Sequence, residues 1–444
     1  MRILCLYTLK RLLSKGPAKD LELPESHEPQ TLLLWAEKAL AATFSLIAKL
    51  SLKDLSALEC QVIPATIAMQ RAGLPFDSEA WERELGSLSA EVEQLKLRLQ
   101  TLLVKDSGFA LFGPEPLDLN SATEVKTSLE AILGTKLIGT SQSALRDFHD
   151  HETVQLLLRF REGARMLSTY GDNFLIKIKN GRIHANFEPL GSASGRFACH
   201  NPNLQALPND KRFQSCIRAK APRKLLYFDY GAFELRILAA LSNDSELLKI
   251  FGDDQDIHSM VASAVFKCPV SKSENAHLRD QAKVLNFGIV YGMGERALSR
   301  QLKISLPAAK EMLDSYFIRF KRVKEYLRSL EEQALTQGFV QTALGRRLYF
   351  NTHLQDQQAA RRLARNMPIQ GTGADIAKLA LCRVYGALFA HGSAQVVNMV
   401  HDELVIEAHE DEQSQISTLV KNEMSQAFLN ILPNVRAEIG LSYC

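Results

Sequence analysis

Apolar positions along the chain follow two periods, and the change between them divides it. From residue 32 to about 170 the spacing is helical. LLLWAEKALAATFSLIAKL (32–50) reads as one amphipathic helix. ALECQVIPATIAMQRAGLPF (57–76) reads as another, stopped by Gly73 and Pro75. Asp77-Ser78 offers an N-cap to a long helix over about 79–104. Asn120-Ser121 opens a shorter helix to about Leu133, Ser141 opens a third, and helix continues through about 152–170. From Gly181 the texture turns to strand and loop. LLYFD (225–229) is a short apolar strand ending in a carboxylate, followed by an apolar helix over 233–241. VVNMV (396–400) and LVIEA (404–408) are apolar strands joined by His401-Asp402-Glu403, a hairpin with an acidic turn.

One helical stretch, RDQAKVLNFGIVYG (279–292), breaks the amphipathic rule. Arg279, Lys283, Phe287 and Tyr291 stand four apart and so share one face of a helix. That face reads cation, cation, ring, ring. It suits a ligand with a phosphate tail and a flat base, because Arg and Lys neutralise phosphate and rings stack on bases. The same spacing also fits an ordinary helix with a basic surface patch.

The carboxylates pose a similar choice. Asp229 ends a buried strand, a position suited to holding a metal, or else it caps the next helix. Asp402 and Glu403 are ordinary turn residues, but two acids at the tip of a buried hairpin are costly without a cation. Asp229 and Asp402 on adjacent strands could clamp two Mg²⁺ about 3.5–4 Å apart. The loop GSASGRFACHNPNLQALP (191–208) is rich in small residues and projects Arg196, Asn201, Asn203 and Gln205. It suits close approach to a nucleic acid.

Length and composition narrow the classes. The 444 residues correspond to roughly three domain-sized units. Hydrophobic residues make up 46% and charged residues 23%, as in a water-soluble globular protein. A net charge of +3 does not by itself argue for nucleic acid. Residues 211–224 and 345–365 are nonetheless locally basic. Seven cysteines show no metal-ligand spacing and read as reduced thiols of a cytosolic compartment. No apolar run approaches the ~20 residues of a membrane span. Cytoplasmic placement in a prokaryotic, phage or plasmid context is expected, with an organelle left open by the basic, acid-free first residues. Asp20-Leu21-Glu22 resembles an exonuclease metal pair, but it lies in a Pro-flanked loop that no apolar strand carries.

Taken together, DYGAFELR (229–236), RDQAKVLNFGIVYG and VHDELV (400–405) resemble motifs A, B and C of family A DNA polymerases, the bacterial DNA polymerase I group. SASGRF…NPNLQ, DIH (256–258) and RNMPIQGTGAD (365–375) match further family segments in the same order. The resemblance runs from about residue 57 to the last residue.

It implies an α+β right-hand polymerase with an antiparallel-sheet palm and helical fingers and thumb. The palm would take 51–80, 166–245 and 346–444, the thumb 81–165 and the fingers 246–345. Residues 1–50 would be a helical remnant of an exonuclease-like domain. By resemblance, Asp229, Asp402 and the Tyr230 carbonyl would bind two Mg²⁺, with Mn²⁺ as the expected substitute. Arg279, Lys283 and His258 would hold the triphosphate of a dNTP, with Lys283 placed to protonate the leaving pyrophosphate. Phe287 would pack on its sugar and base, Tyr291 would lie beside the template base, and Glu234 would sit under the sugar 2′ position. Arg196, Asn366, Gln370 and His401 would touch the minor groove of primer–template DNA, with Asn201 and Gln205 nearby. Glu403 follows Asp402 in the motif. The expected activity is primer-dependent DNA synthesis without 3′–5′ proofreading, in repair, gap filling or bypass, by a monomer that uses an unidentified processivity factor. The alternatives are a single-subunit RNA polymerase and a non-catalytic nucleic-acid-binding protein of the same fold. Motif A departs from the family, with Gly231-Ala232-Phe233 where Ser-Gln-Ile is usual.

Overall fold

The computed structural model describes residues 52–103, 117–253, 255–350 and 356–443. The helical segment expected over 1–50 and the Asp20–Glu22 pair lie outside these residues. The described chain forms two compact units. One comprises the residues up to Leu74, Ala185–Gln205 and those from Ala219 onward, and the other Pro75–His184 with Ala206–Arg218.

The second unit is mainly helical, with one short hairpin pairing Ile178–Lys179 with Arg182–Ile183. Helix α1 (Lys53–Ala72) of the first unit stops at Gly73, and α2 (Ser78–Leu102) then opens where Asp77 accepts a hydrogen bond from the Ala80 N–H at 2.9 Å. Helix α3 (Ala122–Leu133) is capped by Ser121 and ends at Gly134 in the left-handed conformation. Helix α4 (Glu152–Tyr170) packs along α2. Trp81 is fully buried and anchors this unit, with ring centroids 4.7 Å from Phe213, 4.9 Å from Phe76 and 5.3 Å from Phe174. The helix expected at Ser141 does not form. The Ser141 hydroxyl accepts from Ala144 N–H, and the chain makes turns and one 3₁₀ segment, Arg146–Phe148, before α4. A Ser side chain can satisfy a local turn as well as a helix end, so the cap signal alone was ambiguous.

The first unit is built on a four-stranded antiparallel sheet. Its strands are β1 (Arg223–Asp229), β2 (Gln395–Val400), β3 (Glu403–His409) and β4 (Ser442–Tyr443), in the order β4-β1-β3-β2. Leu225, Leu226 and Phe228 of β1 and Leu404 to Ala408 of β3 are buried, because the central strands are covered on both faces. Helices α5 (Phe233–Ser242), α6 (Ser245–Gly252), α7 (Ile257–Phe266), α8 (Ala276–Val290), α9 (Glu295–Leu302), α10 (Leu306–Arg319) and α11 (Lys321–Gln337) follow β1. The 35-residue α12 (Gln357–His391) packs against α1, α11 and α13 (Gln413–Ile431). Strand and helix positions read from the periodicity match β1, β2, β3 and α5 to within two residues.

Many charges in the two basic stretches are engaged internally. Arg212 pairs with Asp210 and Glu91, Arg218 with Asp77, and Arg361 and Arg365 with the buried Glu331. Arg347 lies over the Phe339 ring at 4.5 Å. Among the described residues Cys199, Cys216, Cys268 and Cys382 are free thiols. Among the described residues no helix is long and apolar enough to cross a membrane.

Candidate active site

Strands β1 and β3 run antiparallel with Asp229 directly opposite Glu403. Residues so paired have Cα atoms roughly 4.5–5.5 Å apart. Asp402 is the preceding residue, in a turn where His401 takes a left-handed φ of 56°. The register therefore brings Asp229, Asp402 and Glu403 to one end of the sheet, although more than 170 residues separate the first from the others. Asp229 is exposed, while Asp402 and Glu403 are half-buried. Burial pushes the Asp402 carboxyl up to about 6, with repulsion from Glu234 and Asp229 adding to it. Burial, then Asp229 and Asp402, push Glu403 up to about 7. Like charges crowded in a poorly solvated corner favour a bound cation. Among the described residues no three His, Cys, Asp or Glu side chains form a preassembled metal cage. The acids present fit a hard cation completed by oxygens from ligand and water, as Mg²⁺ prefers.

Asp229 is held from behind by the segment leading into β4. Gly440 N–H donates to the Asp229 carbonyl at 2.9 Å, and Tyr230 bridges Ile439. Gly231 N–H donates to the Glu438 carbonyl at 2.8 Å. The buried Arg236 ties the same segment down through the Arg436 carbonyl at 2.8 Å and Glu438 at 2.7 Å. A Cβ on Gly440 would overlap Asp229 Oδ1, so only glycine leaves the carboxylate its place. The Tyr230 ring is buried, stacked on Phe233 at 4.6 Å, and its hydroxyl donates to the Met424 carbonyl.

The helix singled out by its stripe is α8. Ala282, Leu285, Asn286 and Ile289 form its buried side, and Lys283 and Tyr291 are exposed. Arg279 forms a two-pronged pair with Asp256 at 2.6 and 3.1 Å, and Ser259 donates to the same carboxylate at 2.6 Å. Burial opposes the Asp256 charge, yet the Arg279 and Ser259 hydrogen bonds hold its pKa down at about 2. His258 is buried, with Nδ1 3.0 Å from the Asn286 amide and its ring 5.9 Å from Phe287. Burial lowers its pKa, and Arg279 and Lys283 add to the effect while Asp256 opposes it. Arg279, Lys283, His258 and Phe287 thus meet along α7 and α8.

Beside the carboxylates runs a polar chain. Arg196 donates to the buried Glu234 at 2.6 Å. Tyr291 stands near the same carboxylate, and its phenol pKa is raised by partial burial and then by the Glu234 charge. Partial burial and the nearby Arg196 lower the pKa of His401. Arg196 is carried by the hairpin pairing Asn186–Glu188 with Ala198–His200. Asn366 and Gln370 lie one turn apart on α12, both half-buried. Asn201 is exposed at a left-handed φ of 59°. Gln205 differs from the expected projecting amide, since its Nε2 donates to the Met399 carbonyl of β2 at 3.2 Å.

Several residues escaped the sequence reading. Gly440, Glu438 and Arg236 form the backing of Asp229. Glu59, Thr342, Arg346, Asp375 and Lys378 form a buried polar cluster under the Arg196 loop. The available signal was Asp375 and Lys378, charged residues three apart within an otherwise apolar run of α12.

The family model for DNA polymerase family A matches residues 85–444. DNA polymerase I of Caldicellulosiruptor bescii is 35% identical over 391 residues, covering 85% of this chain and 45% of that protein. DNA polymerase I of Pseudomonas aeruginosa is 32% identical over 406 residues, covering 88% of this chain and 44% of that protein. The chain therefore spans a little under half the length of these relatives. A solved structure, the POL domain of Pol1 from M. smegmatis in complex with a DNA primer-template and dNTP, is 28% identical. It superposes with a TM-score of 0.85 over 100% of this chain and 80% of that one. The α+β architecture expected from the motifs is the one found. With the family model spanning most of its length and its first and third motifs meeting at one end of the sheet, the chain belongs to DNA polymerase family A.

Proposed function

We propose that the chain catalyses template-directed, primer-dependent DNA synthesis from dNTPs. The observation that carries this reading is the register of β1 and β3, which sets Asp229 beside Asp402 and Glu403. In this reading the sheet with α12 and α13 serves as palm, 246–345 as fingers and 81–165 as thumb.

The bond that forms joins the primer 3′-oxygen to the α-phosphorus, and the bond that breaks releases pyrophosphate. Asp229 and Asp402, with the Tyr230 carbonyl, would hold two Mg²⁺, whose chemistry is to lower the 3′-hydroxyl pKa and neutralise charge on the departing phosphates. Phosphoryl transfer otherwise needs positioning and electrostatics more than covalent help. Lys283, exposed and unburdened by a carboxylate in the salt bridges of the described residues, would meet the triphosphate and protonate the leaving pyrophosphate. Arg279 would share itself between Asp256 and the phosphates. His258 would bind as a neutral donor or acceptor. Phe287 would pack against sugar and base.

Glu234 would act as a wall under C2′ that excludes a ribose hydroxyl, with Tyr291 above it. Arg196, Gln370, Asn366 and His401 would read minor-groove acceptors, which every Watson–Crick pair displays. Such contacts report pair shape and not sequence. Asn201 and Gln205 would support the same strand region.

The test is primer extension on a primed DNA template with Mg²⁺, with dNTPs and rNTPs compared and Asp402→Ala as control. Extension with dNTPs, lost in the variant, is expected. Primer-independent synthesis from rNTPs would move the assignment to an RNA polymerase. DNA binding without Mg²⁺-dependent extension would reduce the chain to a binding protein.

A further inference from the structure

Arg196 sits on a loop, and a loop arginine can check pair geometry only if its base is rigid. Beneath that loop lie four charged side chains with almost no solvent contact. Glu59, Asp375 and Lys378 are 0% exposed and Arg346 3%. Lys378 Nζ donates to Glu59 at 2.5 Å, and Arg346 also pairs with Glu59. Arg346 reaches Asp375 Oδ1 through Nε at 2.9 Å and through a terminal nitrogen at 2.6 Å. Thr342 closes the ring, donating from its hydroxyl to Asp375 Oδ2 at 2.7 Å and accepting from the Arg346 N–H at 3.1 Å.

The two cations of this cluster touch the chain on both sides of Arg196. The Arg346 guanidinium fills the space over Gly195, where an added Cβ would come within 2.5 Å of it. Gly195 also holds φ at +83°, which side chains resist. Lys378 Nζ lies 5.9 Å from the centre of the Phe197 ring. Gly371 of α12 lets Thr342 and the Ser194 carbonyl approach closely, since a Cβ there would stand 2.5 Å from the Thr342 methyl.

Stability does not explain this cluster. Buried ion pairs are commonly no better than apolar residues of the same volume. Glu59 Oε2 has no hydrogen-bond partner among the described residues, so the set is not optimised even as a polar network. Burial works against the Glu59 charge, and Lys378 and Arg346 together hold its pKa below the usual range. What the cluster does supply is fixed direction, since the planar Arg346 fork admits one orientation against Asp375 and Glu59.

We propose that Glu59, Lys378, Arg346 and Asp375 are positioning residues for Arg196, fixing Gly195 and Phe197 so that the guanidinium meets Glu234 and the primer terminus in one geometry. The inference rests on the polymerase reading above. It concerns how the terminal pair is checked, not how the phosphate is transferred.

Asp375→Asn keeps the shape and one acceptor while removing the charge. Single-turnover extension is measured from matched and mismatched primer ends, in the wild type and in an Arg196→Ala background, with thermal melting to confirm folding. Alone, Asp375→Asn is expected to slow extension from a matched end by about tenfold and leave the dNTP dissociation constant within about twofold. In the Arg196→Ala background it should cost less than about twofold, because the residue it positions is gone. Costs that multiply in the double variant overturn the proposal, as does an unchanged rate in a folded Asp375→Asn protein. If that variant does not fold, Thr342→Val, which removes the hydroxyl that serves Asp375 and the Arg346 N–H, is judged by the same two criteria. A wild-type chain that extends no primer would sink the polymerase reading itself. Extension by the wild type with multiplicative variants would sink only the positioning role.

Discussion

Asp229 and Glu403 face each other across two antiparallel strands, the last residue of one against the first of the other. Asp402, one residue earlier, shares the field of both. Three acids drawn from two distant segments thus crowd one sheet end, and their mutual repulsion is the physical signature of the site.

Replacing Asp402 by Asn should separate stability from function. The amide relieves repulsion with Glu234 and Asp229, so the metal-free variant should melt no lower than the wild type. Primer extension should fall by at least ~10²-fold, since a preorganised charge at the reacting centre is lost. A lower Tm together with retained extension would contradict both halves.

The raised carboxyl pKa values set a pH dependence. Asp402 moves from 3.8 to about 6 and Glu403 from 4.5 to about 7. The folded state binds these protons more tightly than the unfolded chain, so metal-free stability falls as pH rises from about 4 to about 7. A divalent ion takes the protons' place. The gain in Tm on adding Mg²⁺ should therefore be small at pH 5.5 and larger at pH 8. Equal gains at both values would show that these acids do not hold the ion.

Gly440→Ala should act on Asp229 alone. The new methyl overlaps the carboxylate and leaves the hydrogen bonds of Arg236 in place. Weaker Mn²⁺ binding, by about tenfold or more in a titration, is expected alongside slower extension. Unchanged Mn²⁺ affinity would mean the carboxylate moves aside without consequence.

Glu234→Ala should admit ribonucleotides, read as a fall in the dNTP-to-rNTP ratio of kcat/KM. It also deprives Arg196 of its acceptor. Glu234→Gln, which keeps the bulk, should retain sugar selection. Loss of selection in both variants would assign the effect to the Arg196 pair and not to the wall.

In the helical unit, Trp81→Ala should cost roughly 3–5 kcal/mol by chemical denaturation, because a fully buried ring packed on Phe76, Phe174 and Phe213 leaves a cavity. A cost under about 1 kcal/mol would mean the aromatic cluster collapses around the gap.

Local chemistry was legible in the chain itself. Asp77 and Ser121 start their helices where the cap signals stand, and the two strands around His401-Asp402-Glu403 form the hairpin their alternation describes. The α8 stripe is set by spacing alone, because 3.6 residues per turn align every fourth side chain. Contacts across long stretches of chain were not legible. Nothing local pairs Arg346 with Glu59, 287 positions away, or lays Gly440 against Asp229. Gln205 and Arg279 look free in the sequence, yet tertiary packing gives each a partner. Periodicity and capping act within a few residues, so a sequence determines its elements and candidate chemistry. Which charge meets which is decided only when those elements pack, because burial then compels each polar group to find whatever partner the fold brings within reach.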